Sequence, residues 1–320
     1  MTEVRIFEVS GTEADIRLDR WFKRRIPGLT HGRLEKLLRT GQVRVDGAKA
    51  KSGQRLEPGQ KIRVPPLPNL ESRPPRVDPP VPENQAADLR DRVLFKDADV
   101  IALNKAPGLA VQGGTGLTRH LDGMLDALRF GSDERPRLVH RLDKDTSGVM
   151  LLARTVFAAS ALTQAFRDRT ARKTYWGLTV GVPTPRAGIV DSRLAKSGGE
   201  GFEKMREEAD GKIAVTRYRV VDRAQSKAAW VVLSPETGRT HQLRAHMNTL
   251  GTPIAGDRKY GGPRAVIAGI SPALHLHARR LDVPAPSGGR IQVEAPLPKH
   301  MAESWKFLGF DEKDANGAGG

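Results

Sequence analysis

Leu138-Val139-His140-Arg141-Leu142-Asp143-Lys144-Asp145-Thr146-Ser147-Gly148 is the stretch from which the rest of the chain is best read. Leu138 and Val139 lead into it and Val149-Met150-Leu151-Leu152-Ala153 lead out, so two apolar runs of strand type bracket a polar turn. A loop held between two buried strands is a rigid place to present a side chain. Asp143, flanked by Arg141 and Lys144, is the side chain to explain, because nearby positive charge keeps a carboxylate ionised when it is partly removed from water. An ionised carboxylate suits a nucleophile or a base, not a general acid. The plainer reading is a turn aspartate that bonds backbone amides.

A second distinctive segment is Glu236-Thr237-Gly238-Arg239-Thr240-His241-Gln242-Leu243-Arg244-Ala245-His246, which reads as a glycine turn feeding a helix. Thr240 is the expected cap and Gly251 the expected stop. Arg244 is either a solvated cation on that helix or the partner that a buried carboxylate requires. His241 and His246 invite a metal reading, but five residues of helix set the two side chains about 140° apart. Adding His275 and His277 produces neither HExxH nor another ligand set, so no metal is expected. Tyr175, in the strand pattern Lys173 to Val180, reads on its own as a half-buried strand aromatic.

Composition narrows the partners. The 320 residues carry 53 Lys and Arg against 37 Asp and Glu, a formal charge of +16. With a pI near 10.4 this favours a polyanion such as nucleic acid, or an anionic membrane surface. No apolar run approaches the ~20 residues that span a bilayer, and Met1-Thr2-Glu3-Val4-Arg5 lacks a signal core, so the expected location is the cytoplasm with no membrane partner. There is no cysteine, which excludes disulfides, thiolate catalysis and thiolate metal ligands. Gln112 to Gly116 is glycine-rich but has neither the dinucleotide nor the P-loop spacing, so it is expected to be a substrate-facing loop, and no cofactor is expected.

The organisation predicted is a small α+β module over 1–64, a Pro-rich linker over 65–88, a large α+β domain over 89–310 and a disordered tail over 311–320. In the first module two short helical patterns, separated by Pro27-Gly28 with Thr30 as a cap, precede strands around Val43-Arg44-Val45 and Ile62-Arg63-Val64. Its 64 residues hold 15 Lys and Arg against 8 Asp and Glu, with Arg20, Lys23, Arg24, Arg33, Lys36 and Arg39 on the helices. In the large domain, a hairpin is expected at Val93 to Leu103, a helix with Ala158, Leu162 and Phe166 on its inner face, and strands at Tyr218 to Val221 and Ala229 to Leu233. Strands with a few interposed helices, and no regular βαβ alternation, favour an α+β sheet.

HRLDKDTSG, residues 140–148, closely resembles the motif of the RluA-type pseudouridine synthases, in which the aspartate is catalytic. TGRTHQLR, residues 237–244, resembles a further motif of that family, whose last arginine pairs with the catalytic aspartate. RLDRWFKRRIP…RLEKLLRTGQVRVDG, from Arg17, resembles the S4 RNA-binding domain. Together with ALNKAPGLAVQGGTGL, residues 102–117, this is most similar to the RluC type, which acts on 23S ribosomal RNA of the large subunit, with the RluD type as the alternative.

The resemblance implies a pseudouridine synthase fold: a large mixed, mostly antiparallel sheet with flanking helices and a central cleft, preceded by an S4-like domain. It implies Asp143, Tyr175 and Arg244 as catalytic residues. Arg141, His140, Leu243, His241, Arg239 and Lys105 would bind substrate, and Arg20, Arg24, Arg33, Lys36 and Arg39 would bind RNA. The implied reaction breaks the N-glycosidic bond of a uridine flipped out of its RNA, turns the uracil and joins its C5 to ribose C1′. Asp143 would act either as a nucleophile or by removing the ribose C2′ proton. The partner would be 23S RNA or a large-subunit assembly intermediate, and the protein a monomer. Two other classes compete: a non-catalytic RNA-binding assembly factor, and a hydrolase that uses Asp143 with a second carboxylate.

Overall fold

The computed structural model describes residues 3–67, 81–113, 119–198 and 204–318. The chain divides into two compact units, Met1–Pro79 and Pro80–Gly320. The first holds β1 (Arg5–Glu8), α1 (Leu18–Arg25), α2 (His31–Arg39), β2 (Arg44–Val45), β3 (Ala48–Lys49) and β4 (Lys61–Val64). Its strands form one sheet in the order β1-β4-β2-β3. Leu18, Trp21 and Phe22 of α1 and Leu34, Leu37 and Leu38 of α2 recur at helical spacing and share one core. Thr30 caps α2 as expected, its Oγ1 accepting from the Arg33 amide at 3.4 Å. Asp46 and Gly47 have φ of 49° and 77°, the left-handed pair that a two-residue hairpin needs to join β2 to β3. Arg20, Arg24, Arg33, Lys36 and Arg39 are all exposed.

The expected boundaries shift. Leu67 is fully buried in the first unit's core, so packed structure runs past Val64. At the other end of the expected linker, α3 (Glu83–Asp91) buries Ala86 and Leu89 in the second unit. Its sequence ENQAADLRD is polar at all but three positions, so two buried contacts suffice to hold a helix that composition alone reads as linker. The remainder of that segment, 68–80, lies outside the described residues.

After α3 the second unit continues with β5 (Val93–Lys96), β6 (Val100–Lys105), α4 (Leu121–Met124), β7 (Arg137–Leu138), β8 (Ser147–Ala153), α5 (Val156–Arg167), β9 (Arg172–Val180) and β10 (Ala187–Ser197). It is completed by β11 (Lys204–Glu207), β12 (Lys212–Ala224), β13 (Ala228–Pro235), α6 (Gln242–Thr249), β14 (Leu276–Pro284), β15 (Arg290–Glu294) and α7 (Lys299–Leu308). The strands form one sheet in the order β11-β10-β12-β13-β9-β14-β8-β6-β5, with β15 on β14 and β7 on β8. Among the described strands only β8 and β14 pair in parallel. This is the mixed, mostly antiparallel sheet expected. No described helix is long and apolar enough to cross a membrane.

The strand leaving the Asp143 loop, β8, is an interior strand of this sheet, between β14 and β6. Every residue of β8 is buried. Val149, Leu151 and Ala153 enter a core with Ala158 and Leu162 of α5, while Met150 and Leu152 enter the opposite core with Leu121, Leu125 and Leu128. A strand covered on both faces reads as a continuous apolar run, as VMLLA does. The tail is also ordered where it is described. Glu312–Ala318 forms a 3-10 turn, Ala315 packs beside Trp230, Trp305 and Phe310, and Glu312 lies 3.6 Å from Arg279. Phe310 is buried against the tryptophans and brings the following turn onto the protein.

Candidate active site

The polar loop between β7 and β8 is fastened on three sides. At its end, Ser147 Oγ and His277 Nδ1 of β14 lie 2.8 Å apart in the core. Gly148 has φ of 109°, and a Cβ there would sit 2.2 Å from the Ala278 carbonyl oxygen, so the close approach of β8 to β14 requires glycine. Ala278 is in register with both Gly148 and Tyr175, which carries one row of residues from β8 across β14 to β9. On the third side Lys105, fully buried, donates to the carbonyls of Ala106, Leu109 and Lys144, each at 2.9 Å. Its three donors are thereby used. Burial lowers its pKa to about 8 against the opposing charges of Asp145 and Asp143. Lys105 therefore corrects the expectation of a substrate contact: it clamps the loop from behind.

The TGRTHQLR segment is tied to β12 through Gln242. Its Oε1 accepts from Thr237 Oγ1 at 2.6 Å and from the Arg239 amide at 3.1 Å, while its Nε2 donates to the Val215 carbonyl and Thr216 Oγ1. The cap of α6 is not Thr240. His241 occupies the cap position in the left-handed region, with φ 50° and ψ 20°, and makes no side-chain cap bond. At the far end Gly251, with φ of 77°, stops the helix as expected. His246 bonds Ser192 and Thr216 in the core while His241 bonds Tyr260, so the two imidazoles turn to different partners.

These elements enclose a cavity of about 480 Å³ lined by Asp143, Tyr175, Leu243 and Arg244, with Arg141, His140, His241 and Arg239 also on its wall. Asp143 is half-buried and Arg141 exposed at the rim. Leu243, 7% exposed, contributes apolar surface to the wall. Burial, and then the charge of Asp143, push the Tyr175 phenol above its ordinary range, so it is neutral at physiological pH. His140, on the wall, is held by the protein on two sides. Its Nε2 accepts from the Leu151 amide at 2.8 Å, its ring stacks on Phe166, and burial lowers its pKa to about 3. The Arg239 guanidinium donates through Nε to the Ile213 carbonyl at 3.0 Å.

Arg244 departs from the expected pairing. Its Nε and a terminal nitrogen each donate to Asp257 at 2.8 Å, a bidentate pair in which Asp257 is only 1% exposed. Asp257 also accepts from the amides of Lys259 and Tyr260. Burial opposes the guanidinium charge, but the bonds and charge of Asp257, and then the charge of Asp143, raise its pKa. Asp143 thus shares the field of Arg244 without being its hydrogen-bonded partner. The cation nearest to Asp143 is His241 when protonated, with Nε2 at 4.0 Å from Oδ2.

Several residues of the site were not anticipated. Arg167, Arg169 and Lys173 line the same cavity, so cations outnumber carboxylates on its wall. Burial, and then the charge of Arg169, lower the pKa of Lys173. Lys173 had a usable signal, standing two residues before Tyr175 on one strand and so on the same face. Asp257 and Tyr260, in the loop GDRKYGG, had none. Glu236 is the other carboxylate on the wall, and Arg217 holds it at 2.6 Å. A cavity with one half-buried carboxylate among cations accommodates an anionic polymer. It does not present the two free carboxylates of a glycoside hydrolase.

Mixed sheet, polar loop and basic cavity together define an RNA-modifying enzyme of the pseudouridine synthase class, and residues 99–249 match the family model described as RNA pseudouridylate synthase. The chain belongs to the RluA-type pseudouridine synthases, which are isomerases. It is 35% identical over 302 residues to the ribosomal large subunit pseudouridine synthase C of Rickettsia typhi, covering 90% of this chain and 95% of that one. The enzyme of the same name from Salmonella typhi is 34% identical, covering 95% of this chain and 97% of the other. Among solved structures, human RNA pseudouridylate synthase domain containing 4 is similar with a TM-score of 0.61 and 32% identity, over 71% of this chain and 97% of that one.

Proposed function

We propose that this chain converts specific uridines of 23S ribosomal RNA, in the cytoplasm, to pseudouridine, with Asp143 as the catalytic carboxylate. The observation that carries the reading is Asp143 itself: half-buried in a basic cavity, on a loop fastened by Lys105, Ser147 and Gly148. A flipped nucleotide fits a cavity of this size, and the surrounding Arg and Lys side chains suit its flanking phosphates. Tyr175, neutral beside Asp143, contacts the base and gives up or receives a proton only in concert with it. Arg244, immobilised by Asp257, supplies a fixed positive charge, and such charges act more strongly in a cavity from which water is excluded. Leu243 is the apolar wall against the uracil. Arg141, at the rim, is placed to fill the stack that the base vacates. The exposed Arg20, Arg24, Arg33, Lys36 and Arg39 form an S4-like RNA-binding face.

The test is tritium release from a 23S transcript carrying C5-tritiated uridine, with the modified positions mapped by carbodiimide and primer extension. Wild-type protein is expected to release tritium at discrete uridines, and Asp143→Asn to release none. Equal release by Asp143→Asn would remove Asp143 from the reaction. RNA binding without release by either protein would identify a binding factor.

A further inference from the structure

Three polar groups stand in line behind Asp143. The Met205 amide donates to Tyr260 Oη at 2.9 Å, Tyr260 Oη lies 3.1 Å from His241 Nδ1, and His241 Nε2 lies 4.0 Å from Asp143 Oδ2. A phenol has one proton to donate, and with the Met205 amide already donating to its oxygen, Nδ1 is the acceptor within reach of that proton. Among the described residues Tyr260 Oη has no other acceptor. A neutral imidazole whose Nδ1 accepts carries its proton on Nε2. The N–H so placed faces the carboxylate.

We propose that His241 is a positioning residue for Asp143. Its Nε2–H, fixed by Tyr260 and Met205, donates to one carboxylate oxygen in the RNA complex and leaves the other for the reaction. The inference rests on Asp143 being the catalytic carboxylate. A separation of 4.0 Å is too long for a hydrogen bond, but such bonds tighten when substrate closes the site.

Two further observations fit. With φ at 50°, the His241 backbone is left-handed, an uncommon conformation outside glycine that puts the residue at the head of α6 and not in its first turn. There it forms wall between the 480 Å³ cavity and a second one of about 580 Å³ lined by Lys144, Arg258 and Lys259. Its surroundings disfavour the charged ring. Burial lowers its pKa first, Arg244 and Lys259 act in the same direction, and Asp143 and Asp257 oppose them.

The test compares two amides, because glutamine carries its NH₂ near the place of Nε2 and asparagine near that of Nδ1. Asparagine is also the side chain that best tolerates the left-handed region. If backbone strain governed the outcome, His241→Asn would be the milder change. The expected result is the reverse: in the tritium assay His241→Asn loses at least about tenfold in kcat with KM within about threefold, and His241→Gln keeps kcat within about threefold. Tyr260→Phe lowers kcat about fivefold in the wild-type background and has no further effect with His241→Gln, which needs no tautomer fixed.

In the full-length wild-type protein, nitrogen-15 spectra of labelled histidine are expected to show His241 with Nδ1 bare and Nε2 protonated. They require no variant to fold. A His241 protonated on Nδ1 or on both nitrogens, equal kcat for the Asn and Gln variants, or a Tyr260→Phe loss that persists beside His241→Gln would each overturn the proposal. Asp143→Asn, run in parallel, separates the two readings. Wild-type release by Asp143→Asn removes Asp143 and this inference together, whereas an inactive Asp143→Asn beside an unimpaired His241→Asn removes only this one.

Discussion

Two residues of the site have a meaning that is physical before it is chemical. Gly148 closes the family-like motif because β14 runs too near for any side chain, with the Ala278 oxygen 2.2 Å from where a Cβ would stand. Gly148→Ala is expected to destabilise the protein by more than about 3 kcal/mol, seen as loss of soluble protein or a large drop in melting temperature. A melting curve unchanged by the substitution would contradict that account. Lys105 is charged and fully buried, which is tolerable only because three carbonyls surround its ammonium. Lys105→Met leaves them unpaired, and we expect about 3 kcal/mol lost in urea unfolding together with slower tritium release. If stability fell while turnover per folded molecule stayed at the wild-type value, the clamp would not be positioning the Asp143 loop.

At the scale of the element, α6 is the part of the site whose chemistry depends most on its neighbours. Gln242 bonds its head to β12 and Asp257 binds Arg244 in two bonds, so the helix is held at both its backbone and its charge. A buried pair with one partner neutralised leaves an uncompensated charge. Asp257→Asn is therefore expected to cost about 3–5 kcal/mol, read from the urea midpoint at unchanged slope. A midpoint equal to wild type would mean that Arg244 finds another partner, and Asp143 would be the first candidate. The first strand of the first unit shows the opposite case. β1, RIFE, has only one residue that is even partly buried, so its pairing with β4 leaves no apolar alternation to read.

The whole molecule has two global responses that can be measured. His246, His275 and His277 are buried and neutral, with pKa values lowered to about 4, and His140 to about 3, each chiefly by burial. Unfolded histidine titrates near 6.5, so between about 6.5 and 4 the unfolded chain binds more protons than the folded one. Stability must fall as pH falls through that window, by at most about 1.4 kcal/mol per pH unit for each histidine. Thermal melts between pH 7 and 4 check this, and a flat melting temperature down to pH 4.5 would contradict it. The formal charge of +16 carries the second response. Affinity for an RNA fragment should drop at least about tenfold between ~50 and ~200 mM salt in an anisotropy titration, because each neutralised phosphate releases counterions.

The sequence by itself determined the local features of this protein. Continuous apolar runs such as VMLLA announced a strand buried on both faces, helical spacing placed Leu34, Leu37 and Leu38 on one side of α2, and the order of residues around Asp143 pointed to the family. These are properties of neighbours along the chain, set by steric and hydrophobic periodicity. Tertiary structure alone decided what each polar group touches. Arg244 binds Asp257 and not Asp143, Lys105 turns its charge inward to carbonyls, and His241 takes its proton position from Tyr260 and Met205. Such partners come from distant strands and loops, and the cost of leaving a buried polar group unpaired selects among them only once the sheet has brought them together.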